Sequence, residues 1–465
     1  QPNSQAALKG LNLLTKYKDK ILESVDEGSY YYNLGNAKAN QLTFTNPFKQ
    51  SFNSIYELVE LKNIYWKTFK LSNHNDSSFL KNMVNLANSL KRQFRLVEAL
   101  SYYDQVNKYG LDIPQSWINR SEALMMLNIV SNSYSLKMLY EVKKGYENVL
   151  GSKEIPPDWK LYYSQQVELH SKKIEEEHFV LEVESESEHE DTENEYNSMS
   201  DYRKFCLDQN LSLSEHGLYC KCSGSARDNL TIPTLTGIVG EFVIPMEMVL
   251  NRLKSEFSFA RRMYFEYLTG GSLDELRYES CFSELFNDEI LGGEVEKIRV
   301  GFRQCFSILD KIAVAVCELF DVYPKNRVVF FQSFWQLHLE NRMETFESIK
   351  SPGLLALYSI ATDLNEKGSG EWAFLKDWRN DLEHKFVIVH KGEKPSDVYG
   401  SYKMMNDMLF INEADFIYHY KHLLQLTRSA IFSFVFVVRE KALKQKAEGG
   451  VYLPNIIQRQ NFTLD

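Results

Sequence analysis

The chain has 465 residues, 44% of them hydrophobic and 25% charged, and a formal net charge of −10 at pH 7. Its length excludes a single ordinary domain, and its composition is that of a soluble globular protein. The longest strongly apolar run, near Ala430 to Val438, is too short to cross a bilayer, and no secretory leader opens the chain, so no membrane contact is expected. Six cysteines in a chain this long do not form a disulfide scaffold, which predicts a reducing, cytoplasmic location.

Helical periodicity across residues 1–172 predicts an N-terminal helical domain. Residues 31–37, YYNLGNA, resemble the first helix of a tetratricopeptide repeat (TPR). Trp117 begins a later helix pair 34 residues after Met83, which is the period of this repeat family. The unit between them has the expected residue types at Met83, Leu86, Ala87, Leu90, Ala99 and Tyr103. TPR-like repeats leave a concave groove that usually binds a peptide or a protein partner. The alternative is an irregular helical domain with one chance match.

An acidic segment follows and is predicted to be a disordered linker over residues 173–200. Between Glu175 and Glu195 there are ten Glu and one Asp with no Lys or Arg, so the rest of the chain carries −10 + 11 = +1. Few apolar residues follow Val183, so burial cannot repay the entropy of ordering this segment. A solvated spacer is the simplest interpretation. The alternative is a mimic of nucleic acid that shields a cleft.

Residues 201–239 are short, turn-rich and irregular, and they are predicted to connect two lobes. This segment contains Cys206, His216, Cys220 and Cys222, which raises the question of a zinc site. Cys-x-Cys lacks the two-residue gap that is usual in zinc knuckles, and no second close pair follows. The spacing therefore argues against a metal.

Residues 240–450 are predicted to form a helical bundle, followed by a C-terminal tail at 451–465. Glycine and proline breakers separate the predicted elements. We expect helices at Pro245–Tyr267, Leu273–Asn287, Glu294–Phe320, Arg327–Lys350, Gly353–Asn365, Glu371–Lys391 and from after Asn412 to about Lys446, with a possible short strand in Phe386–Val389. The fold class is all-α.

One predicted helix carries the pattern R-N-x-x-x-H at Arg379, Asn380 and His384. Apolar residues recur on one face of that helix at spacings of three or four, at Leu375, Trp378, Leu382, Phe386 and Val389. The three motif residues fall on the opposite, polar face. A permanent cation beside an imidazole suits the cleavage of a phosphodiester, because Arg binds phosphate oxygens and His transfers protons near neutral pH.

This motif resembles the signature of HEPN-domain ribonucleases. The segment 306–313, FSILDKIA, resembles an earlier helix of that fold, and residues 202–233 resemble what precedes the domain in a TPR-fused HEPN subgroup. The resemblance covers about residues 240–445 and implies a HEPN-type bundle that cleaves RNA without a metal or other cofactor. It implies that His384 deprotonates the ribose 2′-hydroxyl and that Arg379 stabilises negative charge at phosphorus. Asn380 would orient His384 or hold the phosphate.

The resemblance also implies a homodimer, because HEPN enzymes typically bring two motifs together across an interface. Asp310 is a candidate supporting acid from the earlier helix, with a surface salt bridge near Lys311 as the alternative. Glu383 lies four residues after Arg379 and is a candidate to pair with it. No glycine-rich phosphate loop, His-Glu-x-x-His helix or other known cofactor motif is present in the sequence.

The sequence thus favours an RNA-cleaving effector, toxin-like or active in phage defence by family analogy, and regulated by its TPR-like lobe. A second interpretation is a non-catalytic TPR/HEPN interaction protein that binds a protein partner or a nucleotide. A third is a helical scaffold with a chance motif.

Overall fold

The structure is a computed structural model that describes residues 4–45, 51–72, 77–133, 135–181, 192–233, 242–270, 281–283, 288–365, 370–392, 394 and 408–447. Within these ranges it has 17 α-helices and one parallel pair of short strands. The predicted all-α fold class is confirmed. None of the helices in these ranges combines the length and the apolarity that crossing a membrane requires.

The N-terminal lobe is an array of helices in which each long helix packs against the next. Its elements are α1 (Ser4–Lys16), α2 (Lys18–Leu22), α3 (Glu27–Thr45), α4 (Ile55–Leu71), α5 (Ser77–Arg92), α6 (Leu96–Lys108), α7 (Pro114–Ser131), α8 (Leu136–Gly151) and α9 (Pro157–Leu181). Contacts run from α3 through α9 in chain order, and α5 also touches α7. At Gly35 a Cβ atom would lie 2.7 Å from the Tyr65 ring, so glycine permits the close approach of α3 and α4. This stacking of helix pairs agrees with a repeat architecture, and the TPR assignment itself stays a prediction.

The predicted disordered linker is wrong at both of its ends. Helix α9 continues to Leu181, and α10 (Thr192–Ser198) and α11 (Asp201–Asp208) follow. Residues 182–191 lie outside the described residues. The far end is ordered because Tyr196 packs against the small apolar cluster of Met199, Leu207 and Ala226, and its hydroxyl donates to Asp208 Oδ2 at 2.5 Å. The low apolar content of this segment predicted disorder, but these few contacts are enough to order a short helix.

The C-terminal bundle surrounds one long helix. Its elements are α12 (Val243–Thr269), α13 (Gly293–Phe320), α14 (Glu340–Ile349), α15 (Pro352–Asp363), α16 (Phe374–His384), β1 (Val387–His390), β2 (Leu409–Asn412) and α17 (Glu413–Ala447). Helix α17 packs against α12, α13 and α15, and its run Ala430 to Val438 is buried. At Gly353 a Cβ atom would lie 2.9 Å from the carbonyl oxygen of Ser433, so α15 and α17 approach each other backbone to backbone. The predicted apolar run is therefore the centre of a core.

Not every predicted helix matches an observed one. The helix predicted at Arg327–Lys350 is present only as α14, because Arg327 and Gln336 have positive φ angles of 54° and 50° and the segment between them folds into turns. The Arg342 side chain fixes these turns by donating to the backbone carbonyls of Val322, Phe334 and Trp335. The helix predicted at Leu273–Asn287 lies outside the described residues except at 281–283, which are not helical.

The two lobes share a fully buried group of ion pairs. Lys62 on α4 lies 2.8 Å from Asp363 Oδ1 at the end of α15, and Arg95, just before α6, binds the other oxygen of the same carboxylate. Glu98 completes the group by accepting from Arg95 Nε at 2.8 Å. Two cations and two anions thus balance within the interface, which we call the interlobe ion cluster (Lys62, Arg95, Glu98 and Asp363). Such a group is stable only while every member keeps its partner.

Glu440 on α17 predicts a dependence of stability on pH. Burial raises its pKa from 4.5 to about 7, opposed by hydrogen bonds from Ser351 Oγ and Gly353 N. A raised folded-state pKa contributes stability that is complete below pH 4.5 and is lost as the pH rises through 7. We expect the free energy of unfolding to fall by on the order of 2 kcal/mol between pH 5 and pH 8 from this group. Urea titrations of the parent and of Glu440→Gln at both pH values measure it. If the free energy of unfolding of Glu440→Gln fell as steeply with pH as that of the parent, Glu440 would not be the group responsible.

Candidate active site

The motif helix α16 is held by one apolar face. Leu375 and Leu382 are buried, and the Trp378 ring stacks on Phe416 of α17 at a centroid distance of 5.9 Å. These three positions of the predicted stripe are confirmed. Phe386 is not part of the stripe, because α16 ends at His384 and leaves the Phe386 side chain 69% exposed. The chain then becomes extended at Lys385 and enters β1, which pairs with β2 in parallel and buries Val389.

His384 stands at the C-terminal end of α16 and is exposed. Among the residues that the structure describes, none forms a hydrogen bond or an ion pair with its imidazole. The neighbouring Lys385 and Asp381 pair with each other at 2.8 Å across the same turn. Neither ring nitrogen of His384 is thus occupied by another described residue.

Arg379 and Asn380 are half-buried and linked to each other. The Arg379 guanidinium donates from Nη1 to Asn380 Oδ1 at 3.0 Å. An amide oxygen fixed on one edge of the guanidinium limits its rotation and leaves the other N–H groups free to bind an anion. The sequence suggested that Asn380 orients His384 or holds the phosphate, whereas its oxygen here orients Arg379.

Asp310 of α13 faces this helix. Its carboxylate accepts a hydrogen bond from Phe331 N at 2.8 Å. Burial raises the pKa of Asp310, while that hydrogen bond and the positive charges of Arg379 and Lys376 oppose the rise. The alternative of a surface salt bridge near Lys311 is not observed, because Lys311 pairs with Glu256 at 2.6 Å. An acidic side chain thus lies within electrostatic range of the motif arginine.

The predicted ion pair between Glu383 and Arg379 is wrong. Glu383 Oε2 lies 3.3 Å from Arg303 Nη1 on α13, so the carboxylate turns toward the neighbouring helix. Arg379 consequently has no carboxylate within ion-pair distance among the described residues.

Two arginines near the motif helix, Arg303 and Arg299 one helical turn before it, were not predicted as site residues. Their spacing of four on one helix was the available signal, but arginines at that spacing are common on solvated helix faces.

Comparison with known families gives one match to this part of the chain. Residues 240–441 match the family model of LA2681-like HEPN. This part of the chain is an LA2681-like HEPN domain. A search of curated proteins found no match, and neither did a search of solved structures. HEPN domains are usually ribonucleases and often bind RNA and form dimers, so the domain indicates a nuclease or an RNA-related function. The match begins at residue 240 and does not test the TPR-like assignment.

Three other histidines of the HEPN domain, His390, His419 and His422, are buried or half-buried. His390 binds the carbonyl oxygen of Gly392 at 3.1 Å. His419 and His422 pack among aromatic rings, and burial lowers their pKa to about 4 and about 3. These two imidazoles are therefore neutral, and they serve packing in the described structure.

The connector before the HEPN domain holds a cluster of potential metal ligands, although the spacing of these residues in the sequence argued against a metal site. His216, Cys220 and Cys222 have their ligand atoms within 4.8 Å of one another. Cys206 does not join them and is buried beside Arg261 and Tyr202. Three of the four residues considered for zinc are thus brought together.

Proposed function

We propose that the chain is a metal-independent endoribonuclease whose site consists of Arg379, Asn380 and His384. The observation that carries this proposal is the exposed imidazole of His384 on the same helix as Arg379, which forms no ion pair with any described carboxylate. HEPN membership supports the substrate class, since these domains are usually ribonucleases. Asp310 and Arg303 supply charges from the facing helix, and Asp310 is proposed as a supporting group.

The proposed reaction uses the ribose itself as the nucleophile. His384 takes the proton of the 2′-hydroxyl, and the oxygen attacks the adjacent phosphorus. Arg379 stabilises the extra negative charge on the phosphoryl oxygens as the 5′-oxygen leaves. The products are a 2′,3′-cyclic phosphate end and a 5′-hydroxyl end. Asn380 acts as a positioning residue, because it holds the guanidinium through the bond to its amide oxygen.

The leaving 5′-oxygen needs a proton, and we propose that a second copy of the chain supplies the donor. One described motif helix offers a single exposed imidazole, so one site alone has no separate general acid. A homodimer with the two α16 helices facing each other provides both groups. HEPN domains often form dimers, which supports this arrangement.

We further propose a toxin-like or phage-defence role in which the N-terminal lobe regulates cleavage. The biological role rests on analogy with HEPN ribonucleases, and regulation by the N-terminal lobe is supported by a direct contact between α4 and the segment that leads into α16. Lys70 Nζ bonds to the Glu371 carboxylate at 3.1 Å and lies over the Trp372 and Phe374 rings. A protein or peptide bound in the groove of the helical array would act on the motif helix through this contact.

Arg379 provides the test of transition-state stabilisation. We expect Arg379→Ala to lower kcat for RNA cleavage by about 100- to 1,000-fold, as removal of one oxyanion donor does elsewhere. Arg379→Lys should retain part of the activity, because lysine keeps the charge but loses the planar fork. Purified full-length proteins are incubated with RNA in buffer with EDTA in place of Mg²⁺, and the ends are analysed for cyclic phosphate. A melting curve in the same buffer confirms that the chelator leaves the chain folded.

Three outcomes would contradict the proposal. Cleavage that disappears with EDTA while the fold persists would point to a metal-dependent reaction. Equal kcat in the parent and in Arg379→Ala would place the reaction at another site. Binding of RNA without any cleavage would favour the non-catalytic interaction protein.

A further inference from the structure

The cluster of His216, Cys220 and Cys222 lies in the connector between the two lobes. A short 3-10 helix, His216–Leu218, turns the chain so that the imidazole faces the two thiols that follow it. Cys220 is buried, whereas His216 and Cys222 are half-buried. The turn is fixed from both lobes, because Leu218 belongs to the main hydrophobic core and Glu215 pairs with Arg439 of α17 at 2.6 Å.

One distance in this cluster equals the separation of two ligands bound to the same zinc ion. His216 Nδ1 and Cys222 Sγ are 3.6 Å apart. Zinc binds sulfur at about 2.3 Å and imidazole nitrogen at about 2.0–2.1 Å, so a tetrahedral angle separates two such ligands by roughly 3.5 Å. The thiol and the imidazole therefore already stand at the spacing of two ligands of one ion. All three ligand atoms lie within 4.8 Å of one another, so small side-chain rotations would bring the third to the same ion.

The residue types in this cluster are ones that zinc prefers, because thiolate sulfur and imidazole nitrogen are its usual ligands in proteins. The thiolate is the form of cysteine that binds metal, and a cation bound between the two thiols would deprotonate both of them.

We propose that His216, Cys220 and Cys222 bind one Zn²⁺ ion, with water in the fourth position. The ion would fasten the turn at 216–222 and thereby hold the connector between the helical array and the HEPN domain. The site lies on the connector and not on α16, so it supplies no group to RNA cleavage. It therefore stands or falls independently of the proposed nuclease function.

Metal analysis of the full-length protein tests this proposal. The parent is purified under reducing conditions from zinc-supplemented cells, and its metal content is measured by mass spectrometry. We expect about one zinc ion per chain in the parent and at least a tenfold lower content in Cys222→Ala and His216→Ala. The matched control is Cys281→Ala, which removes an exposed cysteine outside the cluster and should keep the parent's content.

A second measurement covers variants that fail to fold. The metal-free parent is titrated with Co²⁺, and the appearance of the intense visible bands of a tetrahedral thiolate complex is followed. Added Zn²⁺ should bleach these bands and raise the Tm of the metal-free parent, because an ion that binds only the folded state stabilises it. No zinc in the parent together with no cobalt bands would overturn the proposal. So would zinc content in Cys222→Ala equal to that of the parent.

Discussion

Replacing His384 with alanine is expected to lower the rate of RNA cleavage by at least about 100-fold, the usual contribution of a general acid or base. If a homodimer uses the two copies of this histidine as base and acid, both proton transfers are lost together and the effect approaches about 10,000-fold. The fold should be unchanged, because the side chain is exposed and has no hydrogen-bond partner among the described residues. Cleavage rates and melting curves of the same preparations measure both expectations.

The matched control is His338→Ala, which removes another exposed histidine outside the motif helix. It should cleave RNA like the parent. If expression of the parent arrests cell growth, His384→Ala should relieve the arrest and His338→Ala should not, which would support the toxin-like role. Unchanged cleavage in His384→Ala would remove this residue from the reaction and point to a contaminant or a different site.

Replacing Asp363 with alanine is expected to lower the free energy of unfolding by about 3–5 kcal/mol, the usual effect of breaking a buried ion pair by removing one partner. Asp363 is fully buried between Lys62 and Arg95, and both cations lose a partner at once. Burial alone would raise the pKa of Asp363, but the two cations outweigh it and lower the pKa. At Lys62 burial dominates instead and lowers the pKa to about 8. The interlobe ion cluster thus depends most on the Asp363 carboxylate, because both cations pair with it.

Chemical denaturation of the full-length protein measures this effect. The matched control is Glu168→Ala, because Glu168 and Lys172 form a fully solvated ion pair at 2.8 Å on α9. That change should leave the denaturation midpoint the same as in the parent, because exposed ion pairs contribute little to the free energy of unfolding. An unchanged midpoint in Asp363→Ala would show that the interlobe ion cluster does not contribute to stability as described.

The sequence was sufficient where the periodicity is local and was insufficient where distant segments meet. The long helices α12, α13 and α17 follow their predicted spans closely, because each has a continuous apolar stripe and clear end signals. Helix α16 was predicted to continue to residue 391. The apolar spacing does continue, but pairing of β1 with residues 409–412 takes the chain out of the helix after His384. No local pattern announces that partner strand.

The candidate site shows the same contrast between local periodicity, which was predictable, and contacts between side chains, which were not. His384 is exposed on α16 as the helical periodicity predicted, whereas Arg379 and Asn380 are half-buried. The contacts of the site were not predictable, since Glu383 turns to Arg303 and Asn380 to its own neighbour Arg379. The connector is the opposite case. The two-residue gap that usually separates the cysteines of a zinc knuckle belongs to one particular turn. Here a 3-10 turn brings His216 and Cys222 together without that gap.

The arginines that join the lobes carry a consequence for proteolytic processing. Arg439 donates to the carbonyl oxygen of Ser131 in the helical array, and the array's own Arg95 binds the Asp363 carboxylate, so the HEPN domain is tied to segments that precede the acidic stretch. A protease that cuts the acidic stretch at 182–191 would therefore leave a nicked but undivided molecule. Liberating a free HEPN fragment would strand buried guanidinium groups, and activation by simple scission is disfavoured for this architecture.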